Sequence, residues 1–168
     1  NIWGGISFNG TSISITTTFF STRAHLYLRN LDTDLKQIGT LRQLTSDSDS
    51  VTARHITDHK QLFLKGAHFV VFSVAGDSDL YIFKTDAGGN RLGQIVPVIE
   101  RTADRTNDMM FCTDGETLYV AYFRPTEQSV VHVLDQNLRH LGPPIITSGR
   151  LPHNNLGGMA YREGKFYV

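Results

Sequence analysis

The sequence predicts an all-β chain that folds as a β-propeller, with three four-stranded blades and the start of a fourth. Two observations carry this prediction. Short runs of β-branched and aromatic residues alternate with clusters of Gly, Asp, Asn and Thr, and helical periodicity is nearly absent. The same order of runs recurs about every fifty residues, and 154–168 repeat 1–15 in register. We expect the blades to belong to a ring of about six to eight blades, or to a half-ring that self-associates.

Each repeat contains the same order of elements. An aromatic residue ends the innermost strand, a turn with Gly follows, and two further strands lead to a hairpin that begins with Asp and ends with Gly. The innermost strands are expected to end near Phe8, Phe63, Phe111 and Tyr161. The hairpins join the third strand to the fourth at 32–39, 86–93 and 135–142, because Asp tolerates turn geometry and Gly supplies a positive φ.

The repeats divide the chain into blades at about 1–53, 54–104 and 105–153, with a partial blade at 154–168. A β-sandwich is the alternative fold, since it also has short strands between regular turns. A sandwich gives no reason for the repeated order of elements, so the propeller is favoured. The sequence ends inside an apolar strand pattern, from which we expect the chain to be a piece of a longer protein.

Composition excludes several classes of function. The chain has 16 basic and 16 acidic side chains, so no overall field favours nucleic acid as a partner. No apolar run approaches the roughly 18 residues that span a bilayer, and membrane insertion is not expected. The single cysteine, Cys112, is expected to be buried and inert rather than a nucleophile. No cofactor is predicted.

The repeat resembles propeller repeats of bacterial secreted and surface proteins. Two copies of the motif carry the resemblance: Leu31-Asp32-Thr33-Asp34-Leu35 to Gly39, and Leu134-Asp135-Gln136-Asn137-Leu138 to Gly142. The second copy departs from it, with Asp86-Ala87-Gly88-Gly89-Asn90. The resemblance implies a fold and favours an extracytoplasmic location, but it implies no particular chemistry.

Other propeller families fit less well. The paired Gly-His and Trp-Asp of WD40 blades and the Asp box of sialidases are missing. Five-bladed glycosidases that resemble arabinanases carry catalytic carboxylates on innermost strands. Asp58 and Asp108 would lie there in this chain, although the Asp-Pro signature of those enzymes is missing.

The candidate ligand face is formed by the segments that lead from the outermost strand of one blade to the innermost strand of the next. These segments, 46–57, 101–107 and 149–156, are rich in polar and charged residues. The candidate ligand-binding residues in and beside them are Arg54, His55, Asp58, His59, Arg105, Asn107, Asp108, Arg150, His153 and Asn154.

Three groups within this set suggest different chemistry. His55 and His59 flank Asp58, but on a strand they would be about 13 Å apart, so no metal site is predicted. Asp58 and Asp108 would serve as acid and base for glycoside hydrolysis, or would cap loops through backbone amides. One arginine in each segment (Arg54, Arg105 and Arg150) would grip anions, or would form salt bridges between blades.

The favoured function is a non-enzymatic binding or scaffold module that presents this polar face to a glycan, a peptide or a protein. One alternative is a glycoside hydrolase or lyase that uses Asp58 and Asp108. Another is a half-propeller that assembles as a homodimer, because three blades leave two open apolar flanks.

Overall fold

The computed structural model describes residues 4–20, 24–49, 51, 56–74, 79–99, 107–124, 128–147 and 159–167. These residues form β1 (Gly4–Phe8), β2 (Ile13–Phe20), β3 (Ala24–Leu31), β4 (Gln37–Gln43), β5 (Ile56–Leu64), β6 (Ala67–Val74), β7 (Leu80–Asp86), β8 (Val96–Ile99), β9 (Asn107–Thr113), β10 (Leu118–Arg124), β11 (Gln128–Leu134), β12 (Ile145–Thr147), β13 (Ala160–Arg162) and β14 (Lys165–Tyr167). The described part of the chain contains no helix long and apolar enough to span a membrane.

The strands form three four-stranded antiparallel sheets in sequential order, β1 to β4, β5 to β8 and β9 to β12, and β13 pairs with β14. Each sheet is a meander, so every strand pairs with its neighbours in the sequence. The first strand of the second sheet, β5, packs against β1 on one side and against β9 on the other. The prediction of an all-β propeller with three blades and the start of a fourth is therefore confirmed, and β1, β5 and β9 are the innermost strands.

The repeated Asp caps each outer hairpin. Asp32 Oδ1 accepts the backbone N–H of Lys36 at 2.8 Å, and Asp135 Oδ1 accepts that of Arg139 at 2.9 Å. Asp86 Oδ1 accepts the N–H of Asn90 in the same way at 2.8 Å. The Asp recurs because the same backbone donor must be satisfied in each blade.

The third residue after this Asp adopts a positive φ in every copy. It is Leu35 (φ 63°) in the first blade, Gly89 (φ 87°) in the second and Leu138 (φ 65°) in the third. A Cβ at Gly89 would approach Leu28 Cδ2 of the first blade to 2.9 Å. The second copy departs from the repeat because only glycine leaves room for the neighbouring blade there.

Apolar side chains pack between the blades. The second and third blades meet through a cluster that includes Val71, Ile82, Val120 and Tyr122. The third blade meets β13 and β14 through Tyr119, whose ring stacks on Tyr161 at 4.9 Å. These contacts are the flat blade-to-blade packing expected of a propeller.

Cys112 lies in the cluster between the third blade and the partial fourth. It is a free, buried cysteine, as the sequence predicts. Burial, together with the negative charge of Asp114, raises the pKa of its thiol to about 11. The thiolate that a nucleophile requires is therefore disfavoured at neutral pH.

Candidate functional site

The candidate site lies where the innermost strands begin. Asp58 is the third residue of β5, and Asp108 is the second residue of β9. Because the blades repeat one strand order, β5 and β9 enter the propeller from the same end. The structure thus places these two residues at the same end of neighbouring innermost strands, as the sequence suggests.

Both strands contain a β-bulge at this end. In β5 the register with β6 shifts between Ile56 and Asp58. In β9 the register with β10 shifts between the partners of Ala121 and Phe123, where Asp108 lies. Bulges re-aim side chains and are frequent beside active sites, so this strand geometry is typical of a functional edge.

The Asp58 carboxylate is held through one oxygen. Its Oδ1 accepts the backbone N–H of His59 at 2.8 Å and lies 3.5 Å from Lys60 Nζ. Among the described residues, Oδ2 has no hydrogen-bond partner, and the side chain is 25% exposed. The carboxylate is therefore fixed in position while one oxygen stays available to a ligand or a water molecule.

His59 is not part of this exposed edge. Its ring is fully buried between the first and second blades, with Nε2 3.1 Å from the carbonyl oxygen of Thr16. Burial lowers its pKa below 6.5, more than the Thr16 hydrogen bond and the charge of Asp58 raise it. His59 and Asp58 belong to opposite faces of β5, so the structure does not bring them together as ligands of one ion.

The structure does not describe the side chains of the remaining predicted site residues. Asn107 and Asp108 are described through their backbone, which forms the start of β9. The others lie outside the described residues: Arg54, His55, Arg105, Arg150, His153 and Asn154. The proposed ring of three arginines stays a prediction.

Sequence reasoning missed several neighbours of Asp58. Lys60 lies beside Asp58 because residues two apart on a strand share a face. The sequence could have predicted this neighbour from the two-residue period of a strand. Thr57 and Ser73 join across the strand pair, with hydroxyl oxygens 2.8 Å apart. Only the sheet register brings Ser73 next to Asp58.

Several solved structures with a similar fold are named as glycan-degrading enzymes, whereas no protein-family model and no curated protein sequence matches the chain. A family 43 endo-arabinanase from Bacillus licheniformis is similar to 97% of the chain with a TM-score of 0.62 and 16% identity, over 62% of its own length. An exo-β-1,3-galactanase from Phanerochaete chrysosporium aligns with 87% of the chain (TM-score 0.62, 11% identity) over 38% of its own length.

The catalytic domain of a family 62 α-L-arabinofuranosidase from Coprinopsis cinerea aligns with 87% of the chain, with a TM-score of 0.58 and 6% identity. The chain covers 50% of that domain, so it spans less than two thirds of each of these structures. Families 43 and 62 are five-bladed propellers. The ring of six to eight blades expected from the sequence stays a prediction for this chain.

The sequence-based preference for a non-enzymatic binding or scaffold module is wrong. It is overturned by the comparison with solved structures, since those that share the fold include glycoside hydrolases of families 43 and 62. The physical reason is that the repeated motifs are turn caps and packing residues, and these report the architecture but not the chemistry at its end.

Proposed function

We propose that this chain is part of a propeller-type glycoside hydrolase in which Asp58 and Asp108 supply the two carboxyl groups. The observation that carries the proposal is the position of Asp58, fixed through Oδ1 at the bulged start of an innermost strand with Oδ2 left available. Asp108 begins the next innermost strand at the same end. Glycoside hydrolysis requires two such carboxyl groups on either side of the scissile bond.

The contacts of Asp58 support a division of roles. A base or a nucleophile needs a carboxylate oxygen free to accept a proton from water or to attack the sugar, and Oδ2 of Asp58 meets this need. Lys60 Nζ lies on the opposite oxygen, where it orients the carboxylate without occupying the reactive side. We therefore assign the proton-accepting or nucleophilic role to Asp58 and the proton-donating role to Asp108.

The substrate class follows from charge and from the fold relatives. The chain has a formal net charge of +0, so nothing in its composition favours a strongly acidic polymer. The similar structures are named for activities on arabinan, arabinofuranosides and β-1,3-galactan. We propose a neutral polysaccharide built from such sugars as the glycan ligand of this chain.

The finer sequence predictions remain part of the proposal. These are the division into blades at 1–53, 54–104, 105–153 and 154–168, and the likeness to bacterial secreted or surface repeats with an extracytoplasmic location. A polysaccharide-degrading function supports such a location, since polymers of this kind are met outside the cell.

The test is release of reducing sugar from arabinan, arabinoxylan and β-1,3-galactan by the chain and by any longer natural protein that contains it. Asp58→Asn and Asp108→Asn should each lower the rate about 10²- to 10⁴-fold, because each removes a proton-transfer or nucleophilic group. Asp34→Asn is the matched control, since Asp34 is exposed in the outer hairpin of the first blade.

Two results would refute the proposal. One is full activity in both strand variants, which would show that neither carboxyl group takes part. The other is no sugar release from any of the polymers by the longer protein. Circular dichroism of each variant separates loss of chemistry from loss of fold.

A further inference from the structure

A layer of buried polar side chains lies between the first blade and β5. Gln61 and His59 project from β5 toward the first sheet, where they meet Ser7, Ser14 and Thr16. The two innermost strands approach closely here, and a Cβ at Gly5 would come within 3.0 Å of the Gln61 backbone nitrogen. This polar layer lies beside the apolar cluster through which the outer strands of the same two blades pack.

The hydrogen bonds of Gln61 fix the orientation of its amide. Its Nε2 donates to Ser7 Oγ at 2.7 Å and to the backbone carbonyl of Ser14 at 2.8 Å. A carbonyl oxygen only accepts, so nitrogen must occupy this position, and both amide hydrogens are used. The remaining atom, Oε1, is a buried acceptor that meets no donor among the described residues.

The tautomer of His59 follows from the same reasoning. Its Nε2 lies 3.1 Å from the Thr16 carbonyl oxygen, so Nε2 carries the hydrogen. Burial lowers the pKa of the ring, which is therefore neutral near pH 7. Nδ1 is left as a bare acceptor, and it is buried without a donor among the described residues.

Two buried acceptors thus project from the same face of β5, two residues apart. Their backbone positions are separated by about 6.6 Å along the strand, and side chains on one face of a strand are neighbours. Buried acceptors are almost always hydrogen-bonded, so a donor is required between the first blade and β5. Both acceptors are uncharged, and an uncharged donor avoids placing an unbalanced charge in this buried layer.

We propose that an internal water molecule occupies this site and donates one hydrogen to His59 Nδ1 and the other to Gln61 Oε1. A water molecule offers two donors, which matches two acceptors on neighbouring side chains of one strand face. The water links both side chains to the first blade through Thr16 and Ser14. On the proposed function, it also holds the start of β5, where the His59 N–H positions the Asp58 carboxylate.

The first test uses the unaltered protein. Nuclear magnetic resonance should show cross-relaxation between a long-lived water and the ring hydrogens of His59, and crystal density should show a peak within hydrogen-bond distance of both acceptors. His68 is the internal control: it is equally buried, but Ser7 and Ser14 hydroxyls lie 3.4 and 3.3 Å from its two ring nitrogens. A long-lived water at His68 and none at His59 would overturn the proposal.

A variant tests the two-acceptor bridge. Gln61→Met removes one acceptor, so the count of long-lived waters from magnetic relaxation dispersion should fall by one. Ser7→Ala is the comparison variant: it removes a bond of the same amide and the hydroxyl beside His68 Nδ1, and it leaves both acceptors in place. An unchanged count in folded Gln61→Met would contradict the bridge; if that variant does not fold, the measurement on the unaltered protein decides.

A bound metal ion would also overturn the proposal. Elemental analysis of the purified protein, before and after chelation, identifies this outcome. Every readout is a water or metal signal rather than sugar release. The water site therefore stands or fails separately from the hydrolase activity.

Discussion

Substitution of Gly89 by alanine should destabilise the fold more than the same substitution at another glycine with a similar backbone. Two penalties add at Gly89. Its φ is 87°, where an L-residue costs about 1–2 kcal/mol. The new Cβ would also approach Leu28 Cδ2 to 2.9 Å and Arg42 Cβ to 3.3 Å.

The second penalty depends on whether Leu28 can move. Leu28 is only 1% exposed and is packed in the cluster between the first and second blades, so a shift of its methyl group disturbs other core contacts. Overpacking of this kind costs about 1–3 kcal/mol. The expected loss for Gly89→Ala is therefore about 2–5 kcal/mol, taking both penalties together.

Gly66 provides the matched control. Its φ is 83°, and a Cβ there would meet nothing within 4 Å. Gly66→Ala should therefore cost only the backbone penalty of about 1–2 kcal/mol. The measurement is the free energy of unfolding of both variants from urea titrations. Equal losses in the two variants would refute the argument that the approach of the first blade requires glycine at position 89.

Three further predictions concern reactivity, pH and association. With a thiol pKa of about 11, Cys112 should resist a thiol reagent near pH 8 in the folded chain and react in urea, and equal rates in both states would contradict its burial. Burial lowers the pKa of His59 and of His68 below 6.5, so at acidic pH the unfolded chain binds more protons than the folded chain. The contribution of the two neutral rings to the free energy of unfolding is therefore complete above about pH 6.5, and it should decrease as the pH falls toward the folded pKa values. The urea midpoint should be lower near pH 5.5 than near pH 7.5, and a constant midpoint would contradict this. Ile6 and Phe8 are 69% and 58% exposed on the open face of the first blade, so the isolated chain should self-associate through this face. Replacing both residues by lysine should reduce the mass found by light scattering, and an unchanged mass would show that this face is not the site of association.

Much of the fold was predictable because propeller strands pair with their neighbours in sequence. The hairpins at 32–39 and 135–142 are closed by hydrogen bonds from Asp32 and Asp135 to backbone groups four residues later. Because these bonds are local, the same short sequence motif recurs wherever they form. The departure at Gly89 was visible in the sequence but had no explanation there. Its cause is contact with Leu28, which is 61 positions away in sequence, and no local pattern reports such a contact.

The candidate site was predictable only in part. The sequence places Asp58 and Asp108 at the starts of innermost strands, and the structure places them there. His59, in contrast, was grouped with Asp58 because the two are adjacent in the sequence. On a strand adjacent residues point to opposite faces, so His59 enters the interface with the first blade while Asp58 stays at the edge.

The sequence by itself determined the class of fold, the number of blades in the chain and the chemistry of the turns, because these depend on strand periodicity and on hydrogen bonds between near neighbours. Tertiary structure alone decided which polar groups are buried between blades. It also decided where β-bulges interrupt the pairing of β5 and β9. These features depend on the stacking of one sheet on the next. Stacking brings together residues that are about fifty or more positions apart in the sequence, and a local sequence pattern does not report such contacts.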